Sequence, residues 1–305
     1  MTFQGVSYIL ILQFTKTKGV VMKHILGKLA AVVAVSLMPT VGNAANIEIL
    51  TYYKPGGGTD QNIQMVKPLI EKQGHSVTVN YMKSCNQAIE YLQANNYSNR
   101  VLWHLNADFK PGDAKAKCVL DGTEDRVNAI GISAESPLAV CVSPGKNVSR
   151  EDLKTKALKL GVAASGAEIF YASKIVEVVG NSNITIEKYR GGGKMRKAAK
   201  AGDIDLFFAT NSALKKVPGH GECFYSSMRN DPMGTPFAGG ADAAFPTIAN
   251  ANIIWSNKES GAAVKAVQAA LQDSGYVAAI RDMKMTVPAI SEVATKVEAY
   301  ANYPR

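Results

Sequence analysis

The sequence predicts an α/β fold of two lobes with a ligand cleft between them, and three observations carry that prediction. From residue 46 onward, apolar runs of strand length alternate with amphipathic stretches of helix length. Three loops of small residues, at 54–60, 163–168 and 190–193, each join the carboxyl end of a predicted strand to a helix. Two of these loops look repeated across the halves of the chain. In open α/β sheets ligands sit outside the carboxyl ends of the strands. Closure of two lobes would bring both helix starts onto one ligand.

The first 44 residues stand apart. They carry Lys16, Lys18, Lys23 and Lys28 and no acid. Met22-Lys23-His24 precedes an apolar stretch from Leu29 to Met38, then Pro39, with Gly42 and Ala44 at the −3 and −1 positions of a cut after Ala44. That layout predicts a secretory signal peptide at 22–44, with residues 1–21 an over-extended start. The rival is a membrane anchor made of Val6–Phe14 and Leu29–Met38, whose apolar core is short for a span.

Ile47, Ile49, Leu50 and Tyr52 predict a buried strand, which Pro55 stops. Gly56-Gly57-Gly58 frees the backbone, and Thr59 or Asp60 is the expected helix cap. Strand, glycine turn and helix start would offer backbone N–H groups and a positive dipole end to a small anion. A helical stripe through Ile63, Val66 and Ile70 follows, then a strand at Ser76–Tyr81, a helix at Asn86–Ala94 and a strand at Arg100–Leu105. Residues 107–127 read as an irregular excursion. Val127–Ile132 and Pro137–Val142 read as two strands, and Ser149 with Asp152 as an approximate capping box.

The second glycine turn follows the strand Leu158–Val162 as Ala163-Ala164-Ser165-Gly166-Ala167-Glu168, where Ser165 would cap the helix or donate to a ligand. Ile184–Tyr189 is another strand. It leads through Arg190 and Gly191-Gly192-Gly193 into the basic helix Lys194–Ala201, and Gly202–Phe208 is one more strand, ending at Ala209-Thr210-Asn211.

Composition narrows the function. The 305 residues are 47% apolar and 19% charged, enough for one or two cores. Removing residues 1–44 takes four lysines from a net charge of +9 and leaves +5, mildly basic and spread out. No Lys/Arg run interleaves with aromatics, so a nucleic-acid partner is not indicated. The histidines (24, 75, 104 and 220) are scattered and no CxxC occurs, which argues against a zinc site; no cofactor is expected. No Ser/His/Asp set emerges. Asp60 and Asp205 are the best acid–base candidates, but Asp60 suits a cap better and Asp205 sits in an apolar strand. Cys85, Cys118, Cys141 and Cys223 suit an oxidising compartment, and spacing leaves three pairings open.

The Pro55–Asp60 loop resembles the first ligand loop of the periplasmic substrate-binding proteins of tripartite tricarboxylate transporters, the Bug family. Further blocks resemble that family in the same order: Pro137–Val142 with Ser143-Pro144, Gly161–Ala167, Tyr189–Gly193, Gly202–Phe208, and the tail from Ala244-Phe245-Pro246-Thr247 through Gly261–Leu271. Together they cover most of 46–285. The resemblance implies a periplasmic binding-protein fold with two hinge crossings. It implies a protein that holds a carboxylate on backbone amides and hands it to membrane transporter subunits. The alternatives are a binding protein of another uptake or sensing system, or an enzyme on the same fold. The sequence departs from the family at Lys83-Ser84-Cys85-Asn86, where a glycine-rich turn is usual, and over 106–126, so ligand identity does not transfer.

On this reading lobe one comprises 46–138 and 255–305, and lobe two 139–254. Bridges within lobes leave a hinge free, which predicts Cys85–Cys118 and Cys141–Cys223. The ligand is expected to lie between Pro55, Gly56, Gly57, Gly58, Thr59 and Asp60 of one lobe and Ala164, Ser165, Gly166, Ala167, Arg190, Gly191 and Gly192 of the other. Arg190 is the candidate for an ion pair, since its planar fork matches a carboxylate. Tyr53, Trp103, Asn106 and Asn211, at predicted strand ends, are candidates to line the rest. The expected product is an exported, monomeric, periplasmic protein without catalytic residues.

Overall fold

The computed structural model describes residues 44–94, 99–105, 127–163, 166–242, 245–257 and 261–301. The expected signal peptide, Asn106, Cys118, Ala164 and Ser165 lie outside those residues. No described helix is long and apolar enough to cross a membrane.

The strands are β1 (Asn46–Thr51), β2 (Ser76–Tyr81), β3 (Arg100–Leu105), β4 (Val127–Val142), β5 (Leu158–Ala163), β6 (Ile184–Tyr189), β7 (Leu206–Thr210), β8 (Cys223–Ser226) and β9 (Ala249–Asn257). The helices are α1 (Gly58–Glu71), α2 (Cys85–Gln93), α3 (Arg150–Thr155), α4 (Gly166–Val179), α5 (Gly192–Ala201), α6 (Asn211–Leu214), α7 (Gly261–Leu271), α8 (Ser274–Asp282) and α9 (Val293–Ala301). Strand order is β2-β1-β3-β9-β4-β7-β5-β6, with β8 also on β4. The β2-β1-β3 and β6-β5-β7 groups are parallel, whereas β4 and β9 run antiparallel to their neighbours.

Each group alternates its apolar residues to two faces, as the period of a strand demands. Ile47 and Ile49 pack with Ile63, Val66 and Leu271 on one face of the first group, and Leu50 packs with Ile89 and Leu92 on the other. In the second group Phe208 and Val140 meet Tyr171 of α4, while Phe207 and Cys141 meet Met195 of α5.

Residues 127–142 form one sixteen-residue strand where the sequence suggested two. Its first part, to Pro137, pairs with β9, and Leu138–Val142 pairs with β7. The polar stretch that suggested a break is instead buried and satisfied internally. Ser133 Oγ accepts the Trp103 indole N–H at 2.9 Å, Ser136 Oγ meets Ser212 Oγ at 3.2 Å, and Glu135 accepts from Lys296 Nζ at 3.0 Å and from the Tyr300 hydroxyl.

Two further boundaries differ from expectation. The seventh strand begins at Leu206, because Gly202 is the left-handed cap that ends α5, with φ of 76°. The first helix is capped by the extended backbone of Gly57, not by Thr59 or Asp60. Ser149 and Asp152 do form a capping box at α3.

Cys141 and Cys223 face each other on β4 and β8 and are bonded as a disulfide. Cys85 is also disulfide-bonded; its expected partner, Cys118, lies outside the described residues.

Candidate functional site

The loop between β1 and α1 is built by its own side chains. Gly56 takes a φ of 77°, a left-handed turn that favours glycine, and Gly57 N–H closes the turn on Lys54 O at 3.2 Å. Asp60, buried in the first turn of α1, reaches back to hold that turn. Its Oδ2 accepts Gly56 N–H at 2.7 Å, and its Oδ1 accepts the Tyr81 hydroxyl at 2.6 Å and Gln64 Nε2 at 3.1 Å. Burial opposes ionisation of Asp60, but those bonds from Tyr81, Gly56 and Gln64 outweigh it and hold the carboxyl below its ordinary value. The same bond to Asp60, with burial, pushes the Tyr81 hydroxyl up. Thr59 Oγ1 donates to Asn252 Oδ1 at 3.0 Å and so ties the helix start to β9. With its turn fixed, α1 presents the first-turn N–H groups that no helical carbonyl can meet.

This loop lines a cleft of about 540 Å³. Tyr53, Lys54, Gly57, Gly58 and Thr59 come from the loop itself, Ser136 from β4, and Asn250 and Asn252 from β9. Ser212, Lys215 and Lys216 come from α6 and the turn after it, and Met283 and Met285 from the segment that follows α8. Lys54, Lys215 and Lys216 line the cleft, and no described Asp or Glu does. A hollow with that balance of charge attracts anions. Asn250 keeps its Oδ1 buried without a hydrogen-bond partner among the described residues.

Of the residues expected at the site, Tyr53, Gly57, Gly58 and Thr59 line this cleft. Pro55 and Gly56 belong to the same loop, and Asp60 holds the loop in shape. Trp103 lies in the core instead, fully buried with its N–H on Ser133, because β3 is covered on both faces. Gly166 and Ala167 begin α4. Arg190, Gly191 and Gly192 form the β6–α5 junction, where Arg190 is exposed, and they are not among the lining residues. Asn211 is buried behind the cleft, its Nδ2 donating to Asp231 Oδ1 at 2.6 Å, and its neighbour Ser212 faces in.

Sequence reasoning passed over Lys54, Gln61, Asn62, Leu105, Ser136, Ser212, Lys215, Lys216, Asn250, Asn252 and both methionines. One signal was available: asparagines two apart in the apolar run of β9 must share a face. Cys141, His220 and Cys223 are the only described side chains gathered closely enough to suggest a metal, and the two sulfurs are spent on each other.

No protein-family model matches the chain, and no curated protein matches it. Solved structures do. The periplasmic binding protein BugD covers 84% of this chain and 94% of its own at 14% identity, with a TM-score of 0.57. An R. palustris protein solved with adipate covers 85% and 94% at 14% identity and a TM-score of 0.61. A TctC solute binding protein from Polaromonas, without ligand, covers 85% and 97% at 13% identity, also with a TM-score of 0.61. The chain shares with them the two-lobed α/β fold of periplasmic binding proteins.

Proposed function

We propose that the protein is a periplasmic solute-binding protein that captures a small organic anion, a carboxylate, and delivers it to a tripartite tricarboxylate-type secondary transporter. The observation that carries the reading is the cleft itself. It joins the start of α1, whose first-turn N–H groups no helical carbonyl meets and whose dipole end is positive, to Lys54, Lys215 and Lys216, with no described carboxylate among its lining. A carboxylate accepts several such N–H bonds at once, and charge-assisted bonds are the strong ones. The adipate bound to the R. palustris neighbour supports the ligand class. The periplasmic BugD and the TctC solute binding protein, alike in fold, support the compartment and the binding role.

Within this reading the lobes meet where the chain changes strand group, at Pro137/Leu138 on the way out; we draw the return just before Ala249, rather than at 254/255 as expected, because β9 pairs with the first part of β4 from Ala249 on. Gly166, Ala167 and the loop at 190–193 belong to the second lobe, and domain closure brings them toward the anion.

Thermal melting of the purified protein against a panel of mono-, di- and tricarboxylates tests the proposal. A binder gains RT ln(1+[L]/Kd), about 2.7 kcal/mol at a hundredfold excess over Kd. A melting temperature indifferent to the whole panel, including at low salt, would overturn it.

A further inference from the structure

The cleft is two-sided in its chemistry, and its hydroxyl groups are already engaged with one another or with Asn252. The Thr59 hydroxyl is spent on Asn252 Oδ1, Ser136 Oγ and Ser212 Oγ meet each other, and the Tyr53 hydroxyl meets that of Tyr52 at 2.7 Å. A ligand therefore finds lysines and backbone N–H groups for its charge, with the amides of Gln61, Asn62, Asn250 and Asn252 beside them. What the cleft offers besides these polar groups is apolar. Met283 and Met285 both line it, at the rim of the core cluster that contains Ile280 and Leu271.

The backbone is bent to put both methionines there. Lys284, between them, has a φ of 61° and is the only described non-glycine residue with positive φ. It closes α8 as a left-handed cap: Lys284 N–H bonds Arg281 O at 2.8 Å and Met285 N–H bonds Ile280 O at 3.2 Å. Thr286 then locks the segment to β4 through two backbone bonds with Glu135, at 2.8 and 2.9 Å. A turn that glycine would make more easily is here made by a lysine and pinned in place. Unfavourable backbone of this kind persists where the surroundings over-determine it, often at binding sites.

We infer that Met283 and Met285 form an apolar subsite, which selects anions whose charge is carried on an unsubstituted hydrocarbon body over hydroxylated anions of equal charge. The inference rests on the carboxylate reading above. Thioether side chains are flexible and polarisable, so such a wall moulds to hydrocarbon without requiring one shape.

Adipate and galactarate make the test, because both are six-carbon dicarboxylates and galactarate carries hydroxyls on its four inner carbons. Titration calorimetry on the full chain should give adipate an advantage of about tenfold or more, the worth of burying roughly two methylenes. Met283→Gln should erase most of that preference by weakening adipate while leaving galactarate within about twofold. Met283→Leu should preserve it. Equal or tighter binding of galactarate, or a Met283→Gln variant that weakens both alike or neither, overturns the subsite alone. Failure of both ligands to bind overturns the carboxylate reading and the subsite with it.

Discussion

Tyr81, at the end of β2, donates its hydroxyl to Asp60 Oδ1 at 2.6 Å, and the other oxygen of that carboxylate holds the Gly56 N–H. One carboxylate thus fixes the turn that shapes the cleft. Because the folded protein holds Asp60 below its ordinary value of 3.8, the stability it contributes is fully present above that value. It is lost as pH falls through the lower, folded one. Acid melts should show this loss in the wild type and a shallower one in Asp60→Asn. Tyr81→Phe should cost about 0.5–1 kcal/mol, below the usual figure for a bond to a charged group because Tyr81 is 41% exposed. It should also loosen ligand binding by freeing the turn.

Gly57 sits in ordinary extended backbone, so valine there is conformationally permitted. A Cβ would stand 3.2 Å from Lys54 O, in a loop that lines the cleft. Gly57→Val should therefore cost the fold about 1 kcal/mol or less while weakening carboxylate binding by about tenfold or more, or ~1.4 kcal/mol. Calorimetry beside a melting curve separates the two effects.

Lys215 and Lys216 supply two of the cleft's three charges. Replacing either with methionine should lower carboxylate affinity by roughly tenfold and flatten its dependence on salt, since screened charges carry the attraction. Titrations at two ionic strengths check this.

Glu135 is 1% exposed and is held by Lys296 Nζ and the Tyr300 hydroxyl of α9. Lys296→Met strands that buried carboxylate without its cation and should cost about 2–3 kcal/mol, a little below the usual figure for breaking a fully buried pair. Denaturant unfolding measures it, and the double variant Glu135→Gln/Lys296→Met should recover part of the loss.

Lys284→Gly should stabilise the protein by about 0.5–1 kcal/mol, because the left-handed conformation costs a side chain about 1–2 kcal/mol and the extra backbone entropy that glycine loses on folding offsets part of the relief. A rise in melting temperature with unchanged carboxylate affinity is the expected outcome.

The strand–helix alternation and the first loop were legible because they rest on short-range rules: period, proline, glycine, caps. Ser149 and Asp152 announced their capping box three residues apart. The unbroken β4 was not legible. Ser133, Glu135 and Ser136 look like a turn until Trp103, Tyr300 and Ser212 are brought to them from 30 to 165 residues away. The far wall of the cleft was hidden for the same reason. Nothing local to Lys215 or Met283 says that it faces Gly57; that follows from tertiary placement alone.

Ser227 is fully buried where β4 changes partners. Its hydroxyl accepts Leu138 N–H at 2.8 Å and donates to Ile248 O at 2.6 Å, while its own N–H bonds Leu138 O and its carbonyl accepts Ile248 N–H. Both passages of the chain between the strand groups are therefore riveted to one residue. The connection is built less like two independent pivots than like a single leaf spring: a continuous strand on one side, a returning segment on the other, and a rivet between them. In the proposed opening and closing of the lobes, motion of one passage would drag the other in phase.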